Sequence, residues 1–487
     1  MLFFVGNERE EAEKRGFEEI KEKIKNKIKF WKGKGISLKG RVKVANIFIT
    51  SKLWNTCEVQ DITNKTKQEI YKLLLDFVWG GNYHQRSKLG IQEDYNEGGL
   101  RLGNIENKIK TYRVKWLLHL CESDQNSIER FLANALISDG KLNLGLNILK
   151  GYTIDCTKSV PNKFYRNACA AWINSKIRFK PKNQQSIGNL WIYNNILLKD
   201  DDGRVYKPPS ARKKHCMPKT FNDLPFPIIN RCREDSTLIR SINTAYDRIN
   251  WSIEDCYILK MDTIEVLINK ISFKELYWAS FKIDQIYQPW KLIWEQMFPN
   301  DTLHWEQIWE NVHNKMCTYR VQSSLWMIVN MNFISSYKLN KMFNSLNICR
   351  QCDNPEEGPV HTILHCAVSD LVFGYFENIL LQIVPLNISI QERAFGLMIQ
   401  GQNTEKQKKL RNYLLFCVKH IIFKRRAKES NFSLEVKSRM IIDECKRFII
   451  TDLQSKFFVA KNKNEIVYFQ NTYLIDNIID HLTQTNN

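Results

Sequence analysis

The chain has 487 residues, of which 43% are hydrophobic and 12% aromatic, values that exclude a disordered protein. Its length allows two to four domains with apolar cores. The 72 Lys and Arg residues exceed the 52 Asp and Glu residues by 20. This excess favours a polyanionic partner, with nucleic acid preferred over an anionic membrane. The sequence shows no apolar run of about 18 residues and no secretory signal, so we expect no membrane partner.

The 13 cysteines are odd in number and irregularly spaced. This usage is typical of free thiols in a reducing compartment and not of a disulfide framework. We therefore expect a nuclear or cytoplasmic protein, or one found in both compartments.

The first helical segment has one apolar and one basic face. Its apolar residues recur at three- and four-residue steps, which predicts a helix: Phe17, Ile20, Ile24, Ile28 and Trp31. Ten basic residues and one acid lie between Lys21 and Lys43. A solvated helix surface would explain such a charge run. The helix, the turn and the next helix all keep the same charge, however, and this favours a surface that contacts phosphates.

Two further helices are predicted within the first 80 residues. Gly33 and Gly35 end the first helix, and Ser37 is a suitable N-cap for the second. The inward face of the second helix is predicted to be Val42, Ala45, Ile49 and Leu53. A third helix is predicted to begin with a capping box at Thr66 and Glu69 and to end at Gly80. A fourth is expected over about 105–120.

Residues 121–345 carry weaker patterns. Helical segments are predicted at about 126–138, 163–177, 254–282 and 304–312, separated by polar loops. Tryptophan is frequent in this region. These rings could stack on bases, but a helical core is the better interpretation of most of them: Trp172, Trp191, Trp251, Trp278, Trp290, Trp294, Trp305, Trp309 and Trp326.

The C-terminal part is predicted to contain an apolar helical stretch at 373–400, a basic amphipathic helix at 405–430 and one more helix before a polar tail. Nine basic residues and no acid lie between Lys406 and Lys428. Lys424, Arg425 and Arg426 are therefore candidate nucleic-acid contacts. A membrane-surface helix and a nuclear-import signal are alternatives for the same residues.

The most informative pattern is C-x2-C-x8-H-x4-C, formed by Cys349, Cys352, His361 and Cys366. Three thiols and an imidazole match a tetrahedral Zn²⁺ site, and four protein ligands would make that zinc structural because no coordination position stays open. His365 is a rival imidazole that stands next to Cys366. Free half-buried thiols with a capping histidine are the alternative without a metal.

Several motifs in fixed order resemble the thumb of non-LTR (LINE-type) retrotransposon reverse transcriptases. They are Phe30-Trp31-Lys32-Gly33-Lys34-Gly35-Ile36-Ser37-Leu38-Lys39-Gly40-Arg41-Val42, then Ser51-Lys52-Leu53-Trp54, Leu75-Asp76-Phe77-Val78-Trp79-Gly80-Gly81 and Glu97-Gly98-Gly99-Leu100. Residues 189–194 and 326–339 resemble later segments of the same family, and the Cys/His pattern resembles its C-terminal zinc knuckle. Residues 1–6 resemble the last palm strand.

The resemblance implies a mainly α fold, in which a helical thumb bundle precedes a mostly helical C-terminal segment with a small CCHC knuckle. The implied divisions are 1–120, 121–345, 346–372 and 373–487. The thumb would grip a template–primer duplex through its backbone phosphates, and the C-terminal segment would bind RNA and DNA. The implied thumb contacts are Lys25, Lys27, Lys32, Lys34, Lys39, Arg41 and Lys43.

The resemblance also implies what this chain lacks. A polymerase palm needs paired carboxylates that hold two Mg²⁺ ions, and the family's Tyr/Phe-x-Asp-Asp motif does not occur. Asp200, Asp201 and Asp202 fall after the thumb and are interpreted as a turn. We therefore expect no Mg²⁺ and no catalysis by this chain alone. The alternatives are a polymerase component that acts with a palm supplied in trans, and a relic without function. A truncated copy, a split gene and a domesticated gene all fit the sequence.

Overall fold

The computed structural model describes residues 7–58, 60–81, 88–122, 127–138, 160–175, 177–181, 256–260, 264–267, 270–280, 289–333, 347–355, 360–398, 405–426 and 431–473, with a few isolated residues or pairs between these ranges. Most of them are helical, which confirms the predicted mainly α fold. Residues 1–6 and the Asp200 turn lie outside the described part, as do Trp191 and Trp251.

The helices of the first 175 residues are α1 (Asn7–Lys32), α2 (Leu38–Val44), α3 (Ser51–Cys57), α4 (Asn64–Trp79), α5 (Lys88–Gln92), α6 (Ile105–Glu122), α7 (Ile128–Ile137) and α8 (Lys163–Ile173). A three-stranded antiparallel sheet follows, with β1 (Ile177–Pro181), β2 (Cys256–Lys260) and β3 (Ile264–Leu267) in that order. Ile177 pairs with Lys260, and Ile258 pairs with Val266. The predicted helix at 254–282 is therefore wrong in its first half.

The remaining helices are α9 (Phe273–Ser280), α10 (Pro289–Met297), α11 (Trp305–Val312), α12 (Tyr319–Val329), α13 (Ala367–Ile383), α14 (Ile390–Phe395), α15 (Glu405–Arg425), α16 (Leu434–Asn462) and α17 (Ile466–Tyr473). The chain groups into two compact units. Unit 1 comprises Met1–Lys23, Thr50–Tyr71 and Gly103–Asp284, and unit 2 comprises Ile24–Ile49, Lys72–Leu102 and Gln285–Asn487. The predicted domain divisions stay predictions.

Several local predictions in the first 80 residues are confirmed, and one is wrong. Ser37 caps α2 through its hydroxyl, which accepts a hydrogen bond from Gly40 N. Gly80 ends α4 with a positive φ of 75°, a conformation that suits glycine. The predicted capping box fails because α4 begins earlier, and Thr63 Oγ1 accepts from Thr66 N. Glu69 instead pairs with Lys21.

Unit 1 is built around α6, which packs against α8 and α9. Trp172 on α8 is buried and donates its indole N–H to Leu149 O at 2.9 Å. Arg113 on α6 is 2% exposed and donates to the carbonyls of Glu58 and Gln60. This arginine therefore serves the interior of the unit.

Unit 2 has a tryptophan-rich core. Trp294 and Trp326 are fully buried and Trp309 is 2% exposed, which confirms the core interpretation for these rings. Trp326 donates its indole N–H to Gly98 O at 2.9 Å. Gly98 has a φ of 81°, and a Cβ there would lie 2.5 Å from the Trp309 ring. Glycine is required at this position for both reasons.

Helix α15 lies in the interior of unit 2, against α12, α13 and α16. Its residues from Leu410 to Phe423 are nearly all buried. The predicted basic amphipathic surface helix is therefore wrong for this segment. The prediction failed because Lys419, which raised the apparent charge of the surface, is a buried residue with its ammonium on Ala394 O at 2.6 Å.

Arg411 on α15 makes several hydrogen bonds inside this core. Its guanidinium is fully buried and forms a two-point pair with Glu392, at 2.7 Å and 2.9 Å. It also donates to the carbonyls of Leu380, Val384 and Leu386. One arginine thus ties α15 to α14 and to the end of α13.

No helix in the described ranges is both long enough and apolar enough to span a membrane.

We predict that Arg411→Met strongly destabilises unit 2. The change leaves the carboxylate of Glu392 buried without its partner, and breaking one side of a buried pair costs about 3–5 kcal/mol. Urea unfolding followed by tryptophan fluorescence measures the loss. Lys409→Ala is the control, because Lys409 pairs with Glu405 on the surface and such pairs contribute less than about 1 kcal/mol. Equal stability of the two variants would contradict the role of Arg411.

Candidate metal centre and basic surface

The structure brings together the four residues that the spacing singled out. The ligand atoms of Cys349, Cys352, His361 and Cys366 all lie within 4.8 Å of one another. Cys352 Sγ and His361 Nε2 are 3.2 Å apart. The rival histidine, His365, is exposed and is not part of this cluster. The structure therefore selects His361.

The first two thiols sit on a tight turn. Cys349 N donates to Asn354 O at 2.9 Å, and Asp353 N donates back to Cys349 O at 2.8 Å. Asp353 adopts a positive φ of 56°, which short polar side chains tolerate better than most. Ile348 and Pro355 close the turn with an isolated antiparallel bridge. The C-x2-C spacing therefore folds into a small hairpin that points both sulfurs the same way.

The other two ligands flank a π-helical turn, His361–His365, that leads into α13. Cys366 is the N-cap residue of α13, so its sulfur lies near the first backbone N–H groups of that helix, which help to lower the pKa of its thiol. The Cys349 thiol also donates to Cys366, which lowers the pKa of Cys366 and raises the pKa of Cys349. A thiolate, the form that binds metal, is thus favoured at Cys366.

The hairpin is fastened to the C-terminal helices. Gln351 lies between the two first cysteines, and its side-chain amide donates to the carbonyls of Arg425 and Lys428. Lys437 on α16 is 5% exposed and donates to Gln351 O at 3.0 Å. Sequence reasoning missed both residues, since neither glutamine nor a single lysine carries a motif.

The donor set fits a structural metal. Three sulfurs and one imidazole nitrogen are the ligands that Zn²⁺ takes in closed tetrahedral sites. Cys349 and Cys366 are each 2% exposed, so an ion held by them would be shielded on that side. Four protein ligands leave no position for a substrate or an activated water. The cluster can therefore hold a metal and organise the chain, and its geometry does not suit metal catalysis.

The chain matches none of the known family models, and no curated protein matches it at a significant level.

Only some of the predicted basic residues lie on the surface. Lys32, Lys34 and Lys43 are exposed, and Lys25 and Lys27 are half-buried. Lys43 lies over the Tyr319 ring, with its nitrogen 4.9 Å from the ring centre. These five lysines keep their place as candidate phosphate contacts.

Lys39 does not belong to that surface. It is 5% exposed, and its ammonium contacts Gln322 Oε1 at 2.5 Å and His313 Nδ1 at 2.9 Å. Burial, together with the charges of Lys43 and Arg101, lowers the pKa of Lys39 to about 7. The predicted phosphate contact at Lys39 is therefore wrong. Its backbone and side chain instead join α2 to α12.

Three other predicted contacts have partners within the protein. Arg41 is half-buried and donates to the carbonyls of Ile36 and Val78. Lys424 and Arg425 both pair with Glu444 on α16.

The third member of the C-terminal cluster, Arg426, lies over the Phe423 and Phe333 rings, at 4.1 Å and 4.5 Å from their centres. The number of consecutive basic residues therefore overstated the positive charge that a ligand can contact. Sequence spacing does not reveal their partners on other helices.

We predict that Lys39→Met flattens the dependence of stability on pH between about 7 and 10. Lys39 is charged in the unfolded chain up to its ordinary pKa of 10.5 and loses its proton in the folded chain above about 7. The unfolded state therefore binds more protons in this window, and stability rises with pH by at most about 1.4 kcal/mol per unit. Urea titrations at several pH values measure the slope.

Lys43→Met is the control for this effect. Its nitrogen lies on the exposed side of the same cluster, and contact with Tyr319 raises its pKa. Because burial is the larger cause of the lowered Lys39 pKa and the charge of Lys43 a smaller one, most of the slope between pH 7 and 10 should persist in that variant. A Lys39→Met protein that keeps the full slope would show that Lys39 stays charged in the folded chain.

Proposed function

We propose that this chain is a nucleic-acid-binding segment of a LINE-type retrotransposon reverse transcriptase. In this proposal the basic helices grip the sugar–phosphate backbone, a structural Zn²⁺ holds the knuckle, and the chain performs no catalysis alone. The observation that carries the proposal is the meeting of Cys349, Cys352, His361 and Cys366 within 4.8 Å. The motif order in the sequence relates this cluster to the family's C-terminal knuckle.

Zinc would add to the hydrogen bonds through which Gln351 and Lys437 already hold the hairpin. The hairpin contributes exposed residues such as Arg350, Asp353 and Asn354, so burial alone gives it little free energy. Structural zinc supplies on the order of 10–16 kcal/mol of apparent binding free energy in small domains. The metal would join the hairpin to the start of α13, while Gln351 joins the same hairpin to the end of α15.

The charge of the segment between α1 and α3 supports a phosphate-binding role. No acidic residue occurs between Lys23 and Cys57, a stretch that contains ten Lys and Arg residues. Two of those ten, Lys39 and Arg41, are committed to the interior, and the others are exposed or half-buried. Cations without neighbouring carboxylates along the chain attract phosphates and release counterions, which makes binding sensitive to salt but not to sequence.

We predict that the purified protein carries about one zinc ion per chain and that His361→Ala loses it. His361 is one of four ligands, so its removal weakens the site and frees the hairpin from α13. Elemental analysis gives the stoichiometry, and limited proteolysis shows new cleavage within residues 347–366.

His365→Ala is the matched control, since that imidazole is exposed and only four residues away. It should retain zinc and protease resistance. A metal-free wild-type protein whose knuckle resists protease after chelation would overturn the zinc assignment.

We predict that a variant with Lys25, Lys27, Lys32 and Lys34 changed to Gln binds RNA and DNA more weakly and with less salt dependence. Each lost phosphate contact reduces the slope of log affinity against log salt by about 0.7–0.9, so four contacts remove roughly 3 units. Fluorescence anisotropy across a salt titration measures both quantities.

The control changes four exposed lysines elsewhere, namely Lys115, Lys274, Lys461 and Lys463. Its net charge falls by the same amount, so it separates a local contact from a general charge effect. Equal losses in the two variants would count against a specific basic surface. An affinity that does not change with salt concentration would refute nucleic-acid binding through phosphates.

A further inference from the structure

An aromatic cluster lies at the end of α1 and on the π-helical turn Ala45–Ile49. Phe30 is 61% exposed and Phe48 is 49% exposed. Trp31 lies between them, with ring centres 5.3 Å from Phe30 and 5.5 Å from Phe48. The neighbouring Ile47 is also 59% exposed. These rings form a continuous apolar surface within unit 2.

Only Trp31 of this cluster belongs to the apolar face of α1. That face is buried at Phe17 and Ile24, which are 3% and 1% exposed, and half-buried at Trp31, whereas Phe30 lies outside it. A group of large exposed rings contributes little to folding, and contiguous apolar patches on a protein surface generally mark binding sites.

The rim of the cluster is positively charged. Lys34 Nζ lies 4.9 Å from the centre of the Phe30 ring, and Lys27 Nζ donates to Phe48 O. Lys29 and Lys32 are exposed on the same stretch of α1. No acidic residue occurs in this part of the sequence. The surface therefore combines flat π faces with cations at their edges.

That combination selects one class of ligand. A uniform duplex offers phosphates but keeps its bases stacked inside, where exposed rings cannot reach them. A single strand offers phosphates and unpaired bases together, and aromatic side chains between basic residues bind both. The rim charge disfavours an apolar protein surface that lacks acidic residues.

We infer that Phe30, Trp31 and Phe48 form a stacking platform for unpaired bases of single-stranded RNA or DNA, with Lys27, Lys29, Lys32 and Lys34 holding the adjacent phosphates. This inference rests on the proposed nucleic-acid binding and adds the kind of ligand to it. The platform reads no base identity, because every base presents a π face.

The test compares the full-length protein with a Phe30→Ala/Phe48→Ala variant on a 12-nucleotide oligo(U), an oligo(dT) and a blunt 12-base-pair duplex. Stacking contributes about 1–3 kcal/mol per base, so we expect single-strand affinity to fall at least tenfold. The salt slope on the single strands should stay the same, since no cation is removed. Duplex affinity should change less than twofold.

Two further variants control the experiment. Phe458→Ala removes a ring that is 63% exposed on α16 and should leave every affinity unchanged. Phe30→Tyr/Phe48→Tyr keeps the π faces and should retain single-strand binding. Thermal unfolding of each variant verifies that the fold is intact.

Other outcomes would overturn the inference. Unchanged single-strand affinity in the alanine variant, or equal losses on single strands and duplex, would show that the rings do not stack on bases. Self-association or anionic-vesicle binding that the alanine variant alone loses would assign the patch to a second copy or to a lipid surface. Failure of the parent protein to bind any of the three oligonucleotides in a salt-dependent way would instead refute the proposed function itself.

Discussion

Three thiols and one imidazole from two separate segments converge in the C-terminal part of unit 2. Cys349 and Cys352 come from a hairpin, whereas His361 and Cys366 flank the turn that starts α13. The Cys349 thiol can donate to one thiolate, at Cys366, but further thiolates at such close approach repel one another without a cation. A bound cation reverses that repulsion and makes the approach favourable. The same hairpin is held to α15 and α16 through Gln351 and Lys437. The knuckle is consequently an integral part of the helical bundle.

The positively charged side chains are divided between the interior and the surface. Arg411 is neutralised by Glu392 and by three carbonyls, and Lys419 rests on a carbonyl with its pKa lowered to about 7 by burial. These buried cations count toward the net charge of the chain but do not lie on its surface. The exposed lysines of the candidate surface near the end of α1 are Lys29, Lys32 and Lys34. Their proximity to exposed rings suits a ligand with both phosphates and accessible bases.

Sequence patterns predicted the helices with strong periodicity and the convergence of four Cys and His side chains, and they failed where long-range packing decides. The face of Phe17, Ile20 and Ile24 is buried as predicted, because a 3.6-residue period is a local signal. The C-x2-C spacing likewise encodes a turn that needs only nearby residues. The surface position predicted for Lys39 was wrong because its partners, His313 and Gln322, lie more than 270 positions away in the sequence. The strands β2 and β3 replaced a predicted helix because short apolar runs suit either structure.

Cobalt binding shows whether the four Cys and His side chains hold a metal in a tetrahedral site. The visible absorption of Co²⁺ depends on its ligands and geometry, and the proposed site has three sulfurs and one nitrogen in a tetrahedron. We expect one Co²⁺ per chain, with intense d–d bands and sulfur charge-transfer absorption that zinc displaces. Cys352→Ser should weaken the charge-transfer absorption by about a third, because one of three thiolates is lost. Weak octahedral absorption, or a spectrum unaffected by the loss of Cys352, would contradict a metal-joined knuckle.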